Sequence, residues 1–301
     1  MKTLLSIVAV LLTTSVVSGG EPTVKLTVKT DTVDVTIGGK PFAVYKFSKD
    51  LPKPFFSPVR GPGGTILTRP IEKTGDDHPH HKGIWVAVDE INEIRFWAEI
   101  GKIVNAEVKA VTLQGDPAKL RVVNHWMGTD DKTVVTETTL IGIHANGLLS
   151  YDITFTANRR KVTFDDTKEG LLGFRMVDSM REKEGGHVIN AEGLAGTKAC
   201  WGKPSAWIDY YGIIDGKTYG VTIMDHPKNF RRSRYHVRDY GLFSINPFGA
   251  KAYSGGKNPS APVHLAHGES LRLRYGMYIH AGDTDTAKVP EVYQHFVKGA
   301  N

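Results

Sequence analysis

Apolar and polar residues alternate along much of this chain, the pattern of strands with one buried face and one wet face. TVKLTVK at 23–29 and TVDVTI at 32–37 form the first such pair, and GGK at 38–40 supplies a turn before PFAVYKF. The same two-residue period returns in DKTVVTETTLIGI at 131–143, LLSYDITFTA at 148–157, KTYGVTIM at 217–224 and SLRLRYGMYIH at 270–280. In the last of these, Leu271, Leu273, Tyr275, Met277 and Ile279 share one face, with Arg272, Arg274, Tyr278 and His280 on the other. Helical spacing is scarce. EINEIRFWAEI at 90–100 fits a short helix or a strand hairpin. VPEVYQHFVKGA sets Val289, Val292, Tyr293 and Phe296 on one helical stripe, with Pro290 in the first turn and Asp285 and Thr286 as caps. Many strands, Gly-rich turns and no βαβ alternation predict an all-β fold. The expected form is one large antiparallel β-sandwich over residues 20–301 with a short C-terminal helix.

The first residues break that pattern. Lys2, an apolar run from Leu4 to Val17, and the small residues Ser18 and Gly19 predict a signal peptide over residues 1–19. The run falls short of the roughly 20 apolar residues of a spanning helix, and no comparable run follows. The expectation is therefore a secreted or periplasmic protein with no membrane span. Export permits disulfides, but Cys200 is the only cysteine, so an intrachain bridge and a Cys-rich metal site are both excluded. Flanked by Ala199 and Trp201, that thiol reads as buried and inert.

Charge adds one question. The 38 Lys and Arg exceed the 32 Asp and Glu by six, and part of the excess sits in RRSRYHVR at 231–238. No helix-turn-helix, zinc-finger or RNA-binding signature accompanies it, so nucleic acid is not the expected partner. A surface tuned for solubility or for an anionic glycan fits better.

Three polar clusters carry the candidate chemistry. GDDHPHHKGIW at 75–85 holds His78, His80 and His81; strand alternation would turn His78 and His80 one way and His81 the other. Imidazoles titrate near neutral pH and ligate metals, so this cluster serves proton transfer or, with a carboxylate, a divalent metal such as zinc or ferrous iron. Asp77 is placed to orient one imidazole. DDTKEGLLGFR at 165–175 puts Glu169 at the mouth of a strand, as a base or third ligand, with Arg175 as a clamp or as its ion-pair partner. MDHPKNFRRSRYHVRDYGLFSINPFG at 224–249 offers His226, Asn229, His236, Arg238, Tyr240 and Asn246; alternation puts His236, Arg238 and Tyr240 on one polar face. Trp201, beside Gly202, is the best exposed aromatic platform for a sugar ring, whereas Trp85 and Trp97 read as core. DHP occurs twice, at 77–79 and 225–227, and both copies read as turns at sheet ends. No GxSxG elbow, HExxH, P-loop or dinucleotide fingerprint is present.

The segments DDHPHHKGIW, RFWAEIG, KEGLLGFRM, WGKPSAWIDYYG, MDHPKN and YHVRDYGLFSINPFG together resemble the bacterial PmoA-like family, also labelled methane oxygenase PmoA, over roughly residues 40–283. A membrane methane monooxygenase subunit needs several spanning helices, which this sequence lacks after its leader. The resemblance instead implies an exported protein of polysaccharide-degrading bacteria and a sandwich similar to galactose mutarotases. The expected function is a secreted carbohydrate-active enzyme using histidine and carboxylate acid–base chemistry, with a divalent metal as an optional assistant. His78, His80, His81, Glu169 and His236 are its candidate catalytic groups. Arg175, Trp201, His226, Asn229, Arg238, Tyr240 and Asn246 are its candidate sugar-binding groups. A non-catalytic glycan-binding module and a mononuclear-iron oxygenase are the alternatives.

Overall fold

The alternating segments become strands close to where the pattern puts them: TVDVTI is the strand Thr32–Ile37 and LLSYDITFTA the strand Leu148–Ala157. In the computed structural model, which describes residues 23–71 and 77–299, the strands assemble into antiparallel sheets of nine, eight and four. The expected signal peptide at 1–19 lies outside the described residues. The nine-stranded sheet runs from an edge strand Arg234–Val237 through Leu242–Asn246, Leu172–Arg175, Ile84–Val86 and Phe55–Val59 to the N-terminal strands. The eight-stranded sheet is centred on Lys217–Asp225, Ser270–Ala281, Leu148–Ala157 and Thr133–Ile143.

Burial of the apolar faces of these two sheets against each other forms the core. Tyr210 meets Phe243 with ring centroids 6.0 Å apart, and the Tyr235 hydroxyl donates to the Ile223 carbonyl at 3.2 Å. On Ser270–Ala281 the expected core face, Leu273, Tyr275, Met277 and Ile279, is buried. The opposite face is wet only in its first half. Tyr278 and His280 are buried too, because the chain returns across them. The helix Val289–Gly299 packs Val289 and Phe296 against Leu148, Trp207, Met224 and Tyr278 on the outer side of the eight-stranded sheet. The turn leading into it is capped by Asp283 rather than Asp285 or Thr286: the Thr286 N–H donates to Asp283 Oδ1 at 2.8 Å.

The ambiguous EINEIRFWAEI segment is a hairpin, Glu90–Ile91 paired with Ile94–Arg95. Asn92 and Glu93, at φ of 51° and 66°, take the left-handed conformations that a tight two-residue turn requires. Trp97 then tucks against Trp85, ring centroids 4.9 Å apart. Cys200 is buried, which pushes its thiol up to about 11 and leaves it unreactive.

Candidate functional site

Strand register decides which side chains share the outer face of the nine-stranded sheet. His236 lies opposite Ser244, Ser244 opposite Gly173, and Gly173 opposite Trp85, one row across four strands. Two residues along, Arg175 and Asn246 project to the same side, while Phe174, Phe243, Ile245 and Tyr235 point into the core. The floor of the row is built from small residues for a reason: a Cβ on Gly173 would lie 2.7 Å from the Trp85 indole. Gly173→Ala should therefore destabilise the protein by about 1–3 kcal/mol. Ser244→Ala removes a buried hydroxyl that has no hydrogen-bond partner among the described residues and should be near neutral. Urea midpoints compare the two, and equal shifts would refute this packing.

Glu169 is held from the strand side. Arg238 Nε donates to His236 Nε2 at 2.8 Å. A guanidinium can only donate, so Nε2 is the acceptor and the imidazole carries its proton on Nδ1. That proton faces the Lys168 carbonyl at 3.1 Å and Glu169 Oε2 at 3.1 Å. His236 is 1% exposed with both nitrogens occupied, so it positions Glu169 and does not exchange protons with a substrate, correcting the catalytic role expected of it. Burial pushes the Glu169 carboxyl up, but the His236 hydrogen bond and the charges of Lys168 and Arg238 more than offset this and hold it below the usual carboxylate range. Asn246 is spent on the same segment: its Nδ2 donates to the carbonyls of Thr167 and Glu169 at 3.0 and 2.9 Å, and its Oδ1 accepts the Phe248 N–H. It braces a loop rather than binding a sugar.

The histidine segment is pinned from beneath. Arg69 donates to the carbonyls of Asp77, His78 and His81 at 2.8, 2.9 and 3.2 Å, and Arg175 Nη2 donates to Asp77 Oδ2 at 2.5 Å. Asp77 in turn pairs with His78 Nδ1. The segment is a turn, with the His81 N–H on the His78 carbonyl and His78 at φ 49°, so the alternation expected to separate His81 from its neighbours does not apply. All three rings gather. His78 stacks on His81 at 4.8 Å, His81 on Trp85 at 5.5 Å, and Tyr240 covers the other side of His78 at 5.1 Å. The result is a column of four rings with the Arg175 guanidinium 4.9 Å above Tyr240.

Two expected roles change as a consequence. His81 is 2% exposed inside the column; burial and the charges around it drive its imidazole far below the usual range, so it stays a neutral spacer. Arg175 is fully buried and engaged with Asp77, so it orients that carboxylate instead of clamping substrate or pairing with Glu169. His78 and Asp77 remain open, at 42% and 47% exposure. His80 is half-buried, and burial with the nearby Lys53 ammonium pushes it down to about 4, so it is neutral at pH 7.

The two halves meet. His80 and Tyr240 both lie within electrostatic reach of the Glu169 carboxylate, and Tyr240 also feels Arg238. Trp201 is half-exposed beneath the Arg238 guanidinium, 5.5 Å from its ring, and together with Lys198 and Asp239 they border an adjoining cleft of about 330 Å³. His226 and Asn229 lie elsewhere. His226 faces the C-terminal helix, 3.3 Å from the Val297 carbonyl, and Asn229 ties Asp225 to the Arg274 backbone. Both are structural, not sugar-binding.

One functional candidate was missed. Asp89 is 5% exposed, and its Oδ1 has no hydrogen-bond partner among the described residues, Arg95 being 3.8 Å away. Burial and the neighbouring Glu169 charge push its carboxyl up to about 6. The run WVAVD contained a signal: Trp85, Ala87 and Asp89 share one face, and an acid closing an apolar strand is costly to bury without a purpose.

A metal does not fit this arrangement. Among the described residues no three His, Cys, Asp or Glu side chains are placed to hold one, because His81 is turned inward and Asp77 is already held by Arg175. No described helix is long and apolar enough to cross a membrane.

By sequence, residues 32–294 match the model of a family of unknown function, DUF6807. The chain belongs to that family. This match corrects the expected PmoA-like assignment. No curated protein matches this DUF6807 chain. Among solved structures, it is similar to an α-galactosidase from Lactobacillus brevis, with 9% identity and a TM-score of 0.45 over 87% of this chain and 40% of that one. A galactose 1-epimerase from Lactobacillus acidophilus gives 9% identity and a TM-score of 0.39 over 87% of this chain and 98% of the other. A heparan sulfate lyase from Pedobacter heparinus gives 7% and 0.37 over 88% of this chain and 36% of the other. The DUF6807 chain thus spans less than half the length of the galactosidase and of the lyase.

Proposed function

We propose that this DUF6807 protein is an exported acid–base enzyme acting on a carbohydrate or sugar derivative, with Glu169 as the proton acceptor and Asp89 as the proton donor. The observation that carries the reading is a pair of neighbouring carboxyls pushed in opposite directions. Glu169 is held ionised by the Arg238–His236 relay, while burial and that same ionised neighbour keep Asp89 protonated up to about pH 6. Such a split assigns an acid and a base to one site. The rim supports the substrate class. The half-exposed Trp201 offers stacking surface to the C–H face of a sugar ring, the Tyr240 hydroxyl lies beside it at the rim of the column, and Arg238, His78 and His80 offer donors and acceptors to the sugar hydroxyls.

Proton-resolved NMR of the mature protein with a panel of monosaccharides, oligosaccharides and their oxidised derivatives tests this directly. At least one member should be converted, and conversion should depend on Glu169 and Asp89. If sugars bind with the same affinity from pH 5 to 8, in wild type and in both carboxyl variants, and none is converted, the protein is a non-catalytic glycan-binding module instead.

A further inference from the structure

A second cleft, of about 490 Å³, lies on the outer face of the eight-stranded sheet, against the C-terminal helix and on a different sheet from the strands that hold Glu169. Its size falls in the roughly 300–1,000 Å³ range of small-molecule sites. Register builds its floor. Lys119, Gly142, Ser150 and Gly276 are opposite one another in one row, and Leu140, Asp152 and Arg274 in the next. The first row is kept low by its glycines: a Cβ on Gly142 would come within 2.5 Å of Ser150 Oγ, and one on Gly276 within 3.3 Å of Phe296. His144 from a turn and His295 from the helix close the end of the cleft, their ring centroids 6.4 Å apart.

The charges are unevenly matched. Asp152 is taken by Arg272, whose Nε donates to it at 2.7 Å and whose Nη2 bonds its other oxygen. Asp116 faces His144 at 3.6 Å. Arg274 makes no ion pair among the described residues, and its Nη1 has no hydrogen-bond partner there. Its main chain is nonetheless fixed on both sides by Asn229, which accepts the Arg274 N–H at 2.7 Å and donates to its carbonyl at 2.9 Å. A rigidly mounted cation whose carboxylate neighbour is already satisfied, beside a floor of small residues and two imidazoles, suits an anion carried on a hydroxyl-rich body.

We propose that this cleft binds an anionic saccharide, with the carboxylate or sulfate of the sugar on Arg274 and its ring along the Gly142–Ser150 floor. The site is independent of the acid–base centre and stands or falls apart from it. Backbone amide shifts of the full chain titrated with sodium glucuronate test it, with glucose as the uncharged control. Glucuronate should move the Gly142, Ser150 and His295 amides and outcompete glucose there, whether or not the Gly170 and Gly173 amides beside Glu169 respond. Arg274→Gln should weaken that binding at least about tenfold. His295→Ala, at an exposed helix position, should weaken it to a lesser degree and keeps the test valid if Arg274→Gln does not fold. No shift in the cleft, equal shifts with glucose, or wild-type binding by both folded variants would overturn the assignment.

Discussion

Replacing Glu169 by glutamine should lower turnover of the sugar proposed as substrate by about 10²–10⁴-fold, the usual contribution of a positioned proton-transfer group. The substitution keeps the side-chain length and leaves an oxygen to accept the His236 Nδ1–H, so the Arg238–His236 relay and the Asn246 brace on the segment survive. Removed are only the negative charge and the basicity. The expected pattern is a large fall in kcat with unchanged thermal unfolding and little change in sugar affinity. A variant within threefold of wild type would remove Glu169 from the chemistry.

The second large effect concerns Asp89 and shows itself in pH. A proton donor works only while protonated, so activity should decline as pH rises through about 6, where Asp89 ionises. A proton acceptor works only while ionised, so the acid limb should lie below 4.5, the ordinary value beneath which Glu169 is held. Between these limbs kcat/KM should form a bell with its maximum on the acid side of neutrality. Asp89→Asn should lower that maximum about 10²–10⁴-fold and abolish the limb near 6. Glu169→Gln should shift the limb as well. Removing the charge that helps raise Asp89 brings its carboxyl down, so whatever residual activity remains should decline at lower pH. An alkaline limb that stays near 6 in Asp89→Asn would remove Asp89 from the proton-donor role.

Much of the architecture was legible because a strand with one wet face writes its geometry into every second residue. Leu148–Ala157 and Ser270–Ala281 could be placed from that period alone. It failed on the outer half of Ser270–Ala281, where Tyr278 and His280 look solvent-facing until the C-terminal segment covers them. The site was legible as an inventory of groups and much less so as a division of roles. A buried arginine and an exposed one are the same letter, and only the fold tells Arg175, spent on Asp77, from Arg238, which holds the His236 tautomer. The polar-looking His226, Asn229 and Asn246 are there because buried turns need their backbone groups satisfied. Asp89 escaped notice for the opposite reason: it closes the apolar run IWVAV beside Glu90, outside the three polar clusters, and only the fold brings it near Glu169.

The ties that assemble the centre are long in sequence. Arg175 reaches Asp77 across 98 residues, Asn246 reaches Glu169 across 77, and His236 reaches the Lys168 carbonyl across 68. In a topology of such high contact order, closing these loops is entropically expensive and comes with the late docking of distant strands. The opposed protonation states of Glu169 and Asp89 therefore have no local precursor in the chain. They arise only once the four neighbouring strands Arg234–Val237, Leu242–Asn246, Leu172–Arg175 and Ile84–Val86 have docked, so a half-folded molecule carries the individual side chains without the opposed pair.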